Sequence, residues 1–183
     1  MKKLIVLDRD GVINEDRDDY VRSLEQWQPI QGSISAIARL SRAGWIVCVA
    51  TNQSGVGRGY FSADELMAMH QKLRDLVHAE SGQISEIVWC PHTPDEACSC
   101  RKPQPGLLDK ISALHGSLAG CPMVGDTLRD LQAGQSHGMT PLLVLTGKGR
   151  TTRDKLLSED QLTGIQVFDD LAAVSEYLLN LNN

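Results

Sequence analysis

Four consecutive aliphatic residues, Leu4-Ile5-Val6-Leu7, run straight into Asp8-Arg9-Asp10-Gly11, and this junction constrains the chain more than any other stretch. An unbroken apolar run without helical period is the pattern of a strand covered on both faces, as in parallel sheets. Ligands of such sheets bind just beyond the carboxyl ends of the strands. Asp8 and Asp10 stand two apart, so on extended backbone their side chains point to one side and crowd two negative charges. A cation or a shared proton has to relieve that repulsion. A solvated turn can also carry such a pair, but the apolar run before it and Gly11 after it favour an acidic, metal-binding pocket.

Strand and helix patterns then alternate. Asn14 to Gln31 lacks a period and reads as a loop over the carboxyl end of the first strand. Ile34, Ile37, Ala38 and Leu40 recur at helical spacing, and Gly44 stops them. Trp45–Ala50 is a second strand that leaves into the glycine-rich turn Thr51–Gly59, whose N–H groups can face an anion. Ser62 and Glu65 form a capping box for a helix with Leu66, Met69, Leu73, Leu76 and Val77 inward and His70 and His78 expected in solvent. Ile84–Trp89 is a third strand, Gly106–His115 a helix, and Cys121–Val124 a short strand ending in Gly125-Asp126-Thr127. A helix carrying Asp130 runs from there to Gly138, and Pro141–Leu145 is a further strand. Gly147–Arg150 begins a polar loop, 165–167 is an edge strand, and Leu171, Val174, Leu178 and Leu181 mark a last helix. The alternation predicts an α/β fold, a doubly wound parallel sheet flanked by helices, in one domain over 1–183. No gap between the polar strand ends has room for a large cap domain, so the pocket should be open and covered by loops.

A net charge of −5 argues against a nucleic-acid partner, and no stretch approaches the ~20 apolar residues of a membrane span. The expectation is a cytoplasmic monomer acting on a small molecule. Five cysteines are an odd number; Cys48 and Cys121 lie in or beside apolar segments and read as core thiols. The other three belong to Cys90-x-His92-x5-Cys98-x-Cys100, within a loop at 90–102. Three thiolates and an imidazole this close are the donor set of a closed tetrahedral zinc site, which leaves no open position and is therefore structural. A reactive-thiol cluster or a disulfide pair is the alternative. Arg101-Lys102-Pro103 follows the fourth ligand directly, so the metal fixes where two cations point, a candidate phosphate clamp.

Asp8 and Asp10, Thr51 and Asn52, Lys102, and Asp126 thus lie along one edge of the predicted sheet. Carboxylate oxygens suit Mg²⁺ shared with a phosphate, and a carboxylate can attack phosphorus to form an aspartyl-phosphate. Asp8-x-Asp10-Gly11-x-Ile13-Asn14, Thr51-Asn52-Gln53, Lys102-Pro103 and Gly125-Asp126-x3-Asp130 resemble the four motifs of the haloacid dehalogenase superfamily of phosphatases. The zinc loop resembles that of its heptose bisphosphate phosphatases and their relatives, the histidinol-phosphate phosphatases. Asn52-Gln53-Ser54-Gly55 with Arg58-Gly59 is more similar to the heptose branch. The resemblance implies that Asp8 is the nucleophile and Asp10 the general acid and base, with Thr51 and Lys102 binding the transferred phosphoryl group. It implies Mg²⁺ held by Asp8, the Asp10 carbonyl and Asp126, and structural Zn²⁺ held by Cys90, His92, Cys98 and Cys100. Arg101 would read a second phosphate, while Asp16, Asp19, Tyr20, Asn52, Gln53, Ser54, Arg58 and Thr127 would contact a sugar bisphosphate. Relatives often carry lysine where this chain has Thr127. The implied product serves nucleotide-activated heptose and lipopolysaccharide core synthesis. Two rivals remain: a histidinol-phosphate phosphatase, and a receiver-type phospho-switch with a similar carboxylate pocket but no zinc loop.

Overall fold

The computed structural model describes residues 2–181, so Met1 and the last two asparagines lie outside it. Leu4–Leu7 forms β1 with every residue buried, as a strand between two helical layers must be. It pairs in parallel with β2 (Ile46–Asn52) on one side and with β4 (Pro122–Gly125) on the other. β3 (Glu86–Cys90) extends the sheet beyond β2, and β5 (Thr140–Val144) and β6 (Gln166–Phe168) extend it beyond β4. The order is β3-β2-β1-β4-β5-β6, all parallel, the expected doubly wound sheet. Strand order reverses at β1, so the crevice between β1 and β4 is where a ligand should bind.

Side chains alternate between the two faces. Ile5 and Leu7 join a large core with Ile37, Leu40, Leu66, Met69, Leu73 and Val174, contributed by helices α1 (Ser33–Arg42), α3 (Ala63–Ala79) and α7 (Leu171–Asn180). Leu4 and Val6 face the other way, onto Leu107, Leu108 and Ile111 of α4 (Gly106–His115), with Ala133 of α5 (Leu128–Ser136) completing that layer. Cys48 and Cys121 are buried there as core thiols. Among the described residues no helix is long and apolar enough to cross a membrane.

Three local expectations are corrected. The second strand runs two residues past Ala50, so Thr51 and Asn52 are strand residues paired with Trp89 and Cys90, and the glycine-rich turn begins as a short helix, α2 (Ser54–Gly57). Gly147–Arg150 does not open a polar loop but leads into α6 (Gly149–Ser158). That helix buries only Gly149 and Leu156, so it has no apolar stripe for a periodicity reading to find. His70 is not in solvent: it is 2% exposed on the inward face of α3. The Ser62 hydroxyl does accept from the Glu65 N–H and fixes the start of that helix.

Candidate active site

The carboxyl ends of β1, β2 and β4 converge on Lys102, in the loop after β3. This lysine is 1% exposed, and its Nζ donates to Asp8 Oδ1 at 2.7 Å, to the Ala50 carbonyl at 2.7 Å and to Asp130 Oδ1 at 2.6 Å. An ammonium has three protons, and each has an acceptor. Burial works against its charge, but the Asp130 and Asp8 carboxylates outweigh burial and raise its pKa. Asn52 sets the lysine backbone by a reciprocal pair, its Nδ2 donating to the Lys102 carbonyl and its Oδ1 accepting from the Lys102 N–H. Asp130 is set in turn by Thr127, whose N–H and hydroxyl both donate to Oδ2. Thr127 and Asn52 therefore position the lysine through one intermediary or none.

Asp8, Asp126 and Asp130 bring carboxylate oxygens within 4.8 Å of one another. Burial pushes Asp8 up to about 7, with Asp130 adding to the shift and Lys102 opposing it. Burial, Asp8 and Asp130 push Asp126 up to about 8. Three carboxylates around one lysine lack positive charge, and this oxygen donor set fits a hard divalent cation such as Mg²⁺. Asp126 is held by backbone on two sides. The Lys148 N–H donates to its Oδ2 at 2.8 Å, and glycines with positive φ press against the same oxygen: a Cβ on Gly11 would lie 2.2 Å from it, and one on Gly147 2.3 Å. Only glycine fits either place.

The Asp10 carboxylate stands outside this cluster. Arg9 grips it through Nε and Nη2, Asn14 Nδ2 donates to Oδ1 at 2.9 Å, and Gln53 Nε2 donates to Oδ2 at 2.8 Å. Burial alone would raise its pKa, but Arg9 and these hydrogen bonds hold it below the usual carboxylate range. The side chains around the expected cation are thus Asp8, Asp126 and Asp130, and Asp10 is left only the carbonyl assigned to it.

Above these groups opens a cavity of about 320 Å³ lined by Asp8, Asp10, Lys102 and Asp126. Of the other expected contacts, Asp16, Tyr20, Asn52, Gln53, Ser54, Arg58, Arg101 and Thr127 line it, whereas Asp19 and Thr51 do not. Asp19 is exposed and pairs with Arg17 at 3.0 Å. Thr51 is buried, its hydroxyl accepting from Gln53 Nε2 at 2.9 Å. Arg17, within the stretch Asp16 to Tyr20 expected at the sugar, lines the cavity too, as do Arg129, Asp130 and Lys148, to which the sequence reading gave no role. Asp130 had a signal, since it lies one helical turn from Asp126; Lys148 was hidden with α6. Arg129 has no ion pair or hydrogen bond among the described residues. Burial and the charge of Arg129 both lower the Arg101 pKa, so two cations face one space without an anion between them.

The predicted zinc ligands do converge. Cys98 Sγ lies 3.6 Å from both Cys90 Sγ and Cys100 Sγ, and His92 Nδ1 lies 3.4 Å from Cys90 Sγ and 3.2 Å from Cys100 Sγ. Thiolates around zinc at ~2.3 Å form a tetrahedron with edges of roughly 3.7 Å; the two 3.6 Å separations match such an edge, the Cys90–Cys100 pair is closer, and the donor set suits zinc. Cys90 Sγ and Cys100 Sγ are 2.8 Å apart, too far for the disulfide alternative. The Arg101 N–H donates to Cys98 Sγ and its Nη1 to the His92 carbonyl, so the cluster holds this arginine by backbone and side chain.

A HAD-hydrolase-like family profile matches residues 99–174. The chain is 52% identical to the D-glycero-β-D-manno-heptose-1,7-bisphosphate 7-phosphatase of Pseudomonas aeruginosa over 179 residues, 97% of this chain and 98% of that one. Its fold is similar to the crystal structure of D,D-heptose 1,7-bisphosphate phosphatase from Bordetella bronchiseptica complexed with magnesium and phosphate. That match has a TM-score of 0.92 and 48% identity, and covers 99% of both chains. The corresponding phosphatase from Burkholderia thailandensis matches with a TM-score of 0.74 and 42% identity, covering 97% of this chain and 99% of that one.

Two outcomes are expected. Folding raises the Asp8 and Asp126 pKa values from 3.8, so the folded state retains protons that the unfolded state releases. The cation-free protein should therefore lose stability as pH rises from about 5 to about 8, and added Mg²⁺ should remove that loss. Thermal melts at both pH values check this; a cation-free Tm that rises over that range contradicts it. Replacing Cys98 by Ser should empty the zinc site and raise KM for a phosphate ester by about tenfold or more, because Arg101 and Lys102 lose their anchor. Metal loss with unchanged kinetics would detach the clamp from the zinc.

Proposed function

The chain belongs to the D-glycero-β-D-manno-heptose-1,7-bisphosphate 7-phosphatase family of haloacid-dehalogenase-like hydrolases, and we propose that it removes the C7 phosphate of that sugar bisphosphate through a covalent phosphate on Asp8. The observation that carries this reading is the contact of Lys102 with Asp8 at the base of a cavity that also holds Arg101 and Arg129. One end suits phosphoryl transfer and the other a second anion.

In the first step an Asp8 oxygen forms a bond to phosphorus as the bond from phosphorus to the C7 oxygen breaks. Asp10 supplies a proton to that leaving oxygen. In the second step Asp10 takes a proton from a water molecule, which attacks phosphorus and releases the Asp8 carboxylate with inorganic phosphate. Lys102 stays beside Asp8 throughout and offsets negative charge on the phosphoryl oxygens. Asp8, Asp126 and the Asp10 carbonyl would hold Mg²⁺, which when bound would supply further positive charge to offset that of the phosphoryl oxygens. The Thr51 hydroxyl is the remaining expected phosphoryl contact, and a Gln53 movement is what would expose it.

Arg101 and Arg129 are the pair that reads the C1 phosphate. Arg129 answers the departure at Thr127: the positive charge that relatives often carry after the motif-four aspartate stands here two residues further on. Tyr20, Ser54, Arg58 and Asp16 border the space between the two anion sites, where a sugar would lie. The same reading makes the whole chain one catalytic unit with a structural zinc loop, working as a cytoplasmic monomer in the supply of activated heptose for lipopolysaccharide.

Asp8→Asn should abolish phosphate release from the heptose bisphosphate and leave the chain folded with a lowered melting temperature, because Lys102 loses one of its two charged acceptors; turnover near the parent rate removes Asp8 from the nucleophile role. Arg129→Ala should raise KM for the bisphosphate by about tenfold, in line with ~1.5–3 kcal/mol for a charged hydrogen bond, and leave KM for an alkyl monophosphate unchanged. Equal KM changes for the two substrates would place the second phosphate elsewhere.

A further inference from the structure

Arg9 separates the two catalytic aspartates in sequence, yet its side chain does not reach the cavity. It is 0% exposed, and among the described residues its guanidinium hydrogen-bonds to the Asp10 carboxylate and the His70 ring. Nε and Nη2 donate to the Asp10 carboxylate at 2.8–3.1 Å, and Nη1 lies 3.4 Å from His70 Nε2. His70 comes from the middle of α3, a helix that contributes no residue to the cavity lining. A buried imidazole there has no evident packing reason: the positions around it on the inward face are Leu66, Met69, Leu73 and Val77.

The chemistry of the contact fixes the state of the ring. A guanidinium only donates, so His70 Nε2 must offer its lone pair and the ring proton must sit on Nδ1. Burial first, and then the Arg9 charge, push the His70 pKa down to about 3, which keeps that lone pair available. Nδ1 is buried without a hydrogen-bond partner, so the ring gives up one of its two polar contacts and keeps the one to Arg9. Each guanidinium nitrogen is then engaged, and the plane of the fork, which sets the plane of the Asp10 carboxylate, cannot turn.

We infer that His70 is a positioning residue for the reaction: through Arg9 it holds the general acid–base carboxylate of Asp10 in register with the leaving oxygen from a helix outside the cavity. The inference rests on the proposed role of Asp10 in phosphoryl transfer. It gives a function to a histidine that touches neither substrate nor metal, and it explains why the residue between the two aspartates is an arginine with its side chain turned inward.

The test compares leaving groups. An alkyl phosphate, such as the heptose bisphosphate, needs a proton delivered to its leaving oxygen, whereas p-nitrophenyl phosphate leaves as a stabilised phenolate and does not. kcat/KM reports events through the first irreversible step, here the departure of the alcohol, and so excludes hydrolysis of the Asp8 phosphate. His70→Leu keeps side-chain bulk and removes the acceptor; His70→Gln keeps an acceptor oxygen. The expected result for His70→Leu is a fall in kcat/KM of about tenfold to a hundredfold on the heptose bisphosphate, with less than about threefold on p-nitrophenyl phosphate. His70→Gln should restore most of the alkyl activity. Should His70→Leu be too unstable to assay, Arg9→Lys, which keeps the charge and loses the fork, carries the same comparison with the same expected selectivity. Equal losses on both substrates, or no recovery with His70→Gln, overturn the inference while leaving the phosphatase reading intact. A parent protein that hydrolyses neither substrate overturns the phosphatase reading itself.

Discussion

A single buried ammonium group organises the site. Lys102 is shut off from water, and an unpaired lysine there would neutralise or unfold its surroundings. It persists because Asp8, Asp130 and the Ala50 carbonyl each take one of its protons. Breaking one partner of such a buried pair typically costs about 3–5 kcal/mol, since the other charge is stranded. Asp8 follows β1, Ala50 lies within β2 and Asp130 is in the first turn of α5, so the lysine joins β1, β2 and the helix after β4. The charge proposed to stabilise the reacting phosphoryl group also ties those elements together.

Around that point the site divides by the kind of structure that holds each part. The reacting groups stand on strand tips: Asp8 still pairs its N–H with the Val124 carbonyl, and Asp126 follows β4 and is wedged between two glycines. Their positions come from β1 and β4, the two strands buried along their whole length. The cations proposed for recognition, Arg101 and Arg129, come from the cysteine–histidine loop and from the first turn of α5. Cysteine and histidine ligands do for that loop what a hydrophobic core does for the strands.

Sequence reading recovered the sheet, the acids at its edge and the cysteine–histidine cluster because each has a local signature. β1 is an apolar run meeting carboxylates, and the zinc loop is four soft donors in eleven residues. It failed where the signature is non-local. α6 is almost wholly polar and is fixed by what it touches, Asp126 through the Lys148 N–H and the Thr152 hydroxyl. His70 sits at a core position of an amphipathic helix but was placed in solvent because its residue type outweighed its phase; its partner, Arg9, is sixty-one residues away. Asn52 and Gln53 were expected on the substrate. Both line the cavity, and their amides also reach Lys102, Asp10 and Thr51, contacts made with neighbours that only the folded chain supplies. Arg129 looked like one more solvated charge until α5 placed it beside Arg101.

The metal-clasped loop has an implication for how such proteins diversify. Its two ends are tied to the sheet, through Cys90 at the end of β3 and Lys102 against β1 and β2, while Asp95, Glu96 and Ala97 between the ligands are exposed and can change without touching the core. Lengthening it, or exchanging its exposed cations, would alter which alcohol is accepted while the phosphorus chemistry stayed as it was. One inherited engine could in this way be refitted to many metabolites, with innovation confined to a detachable rim.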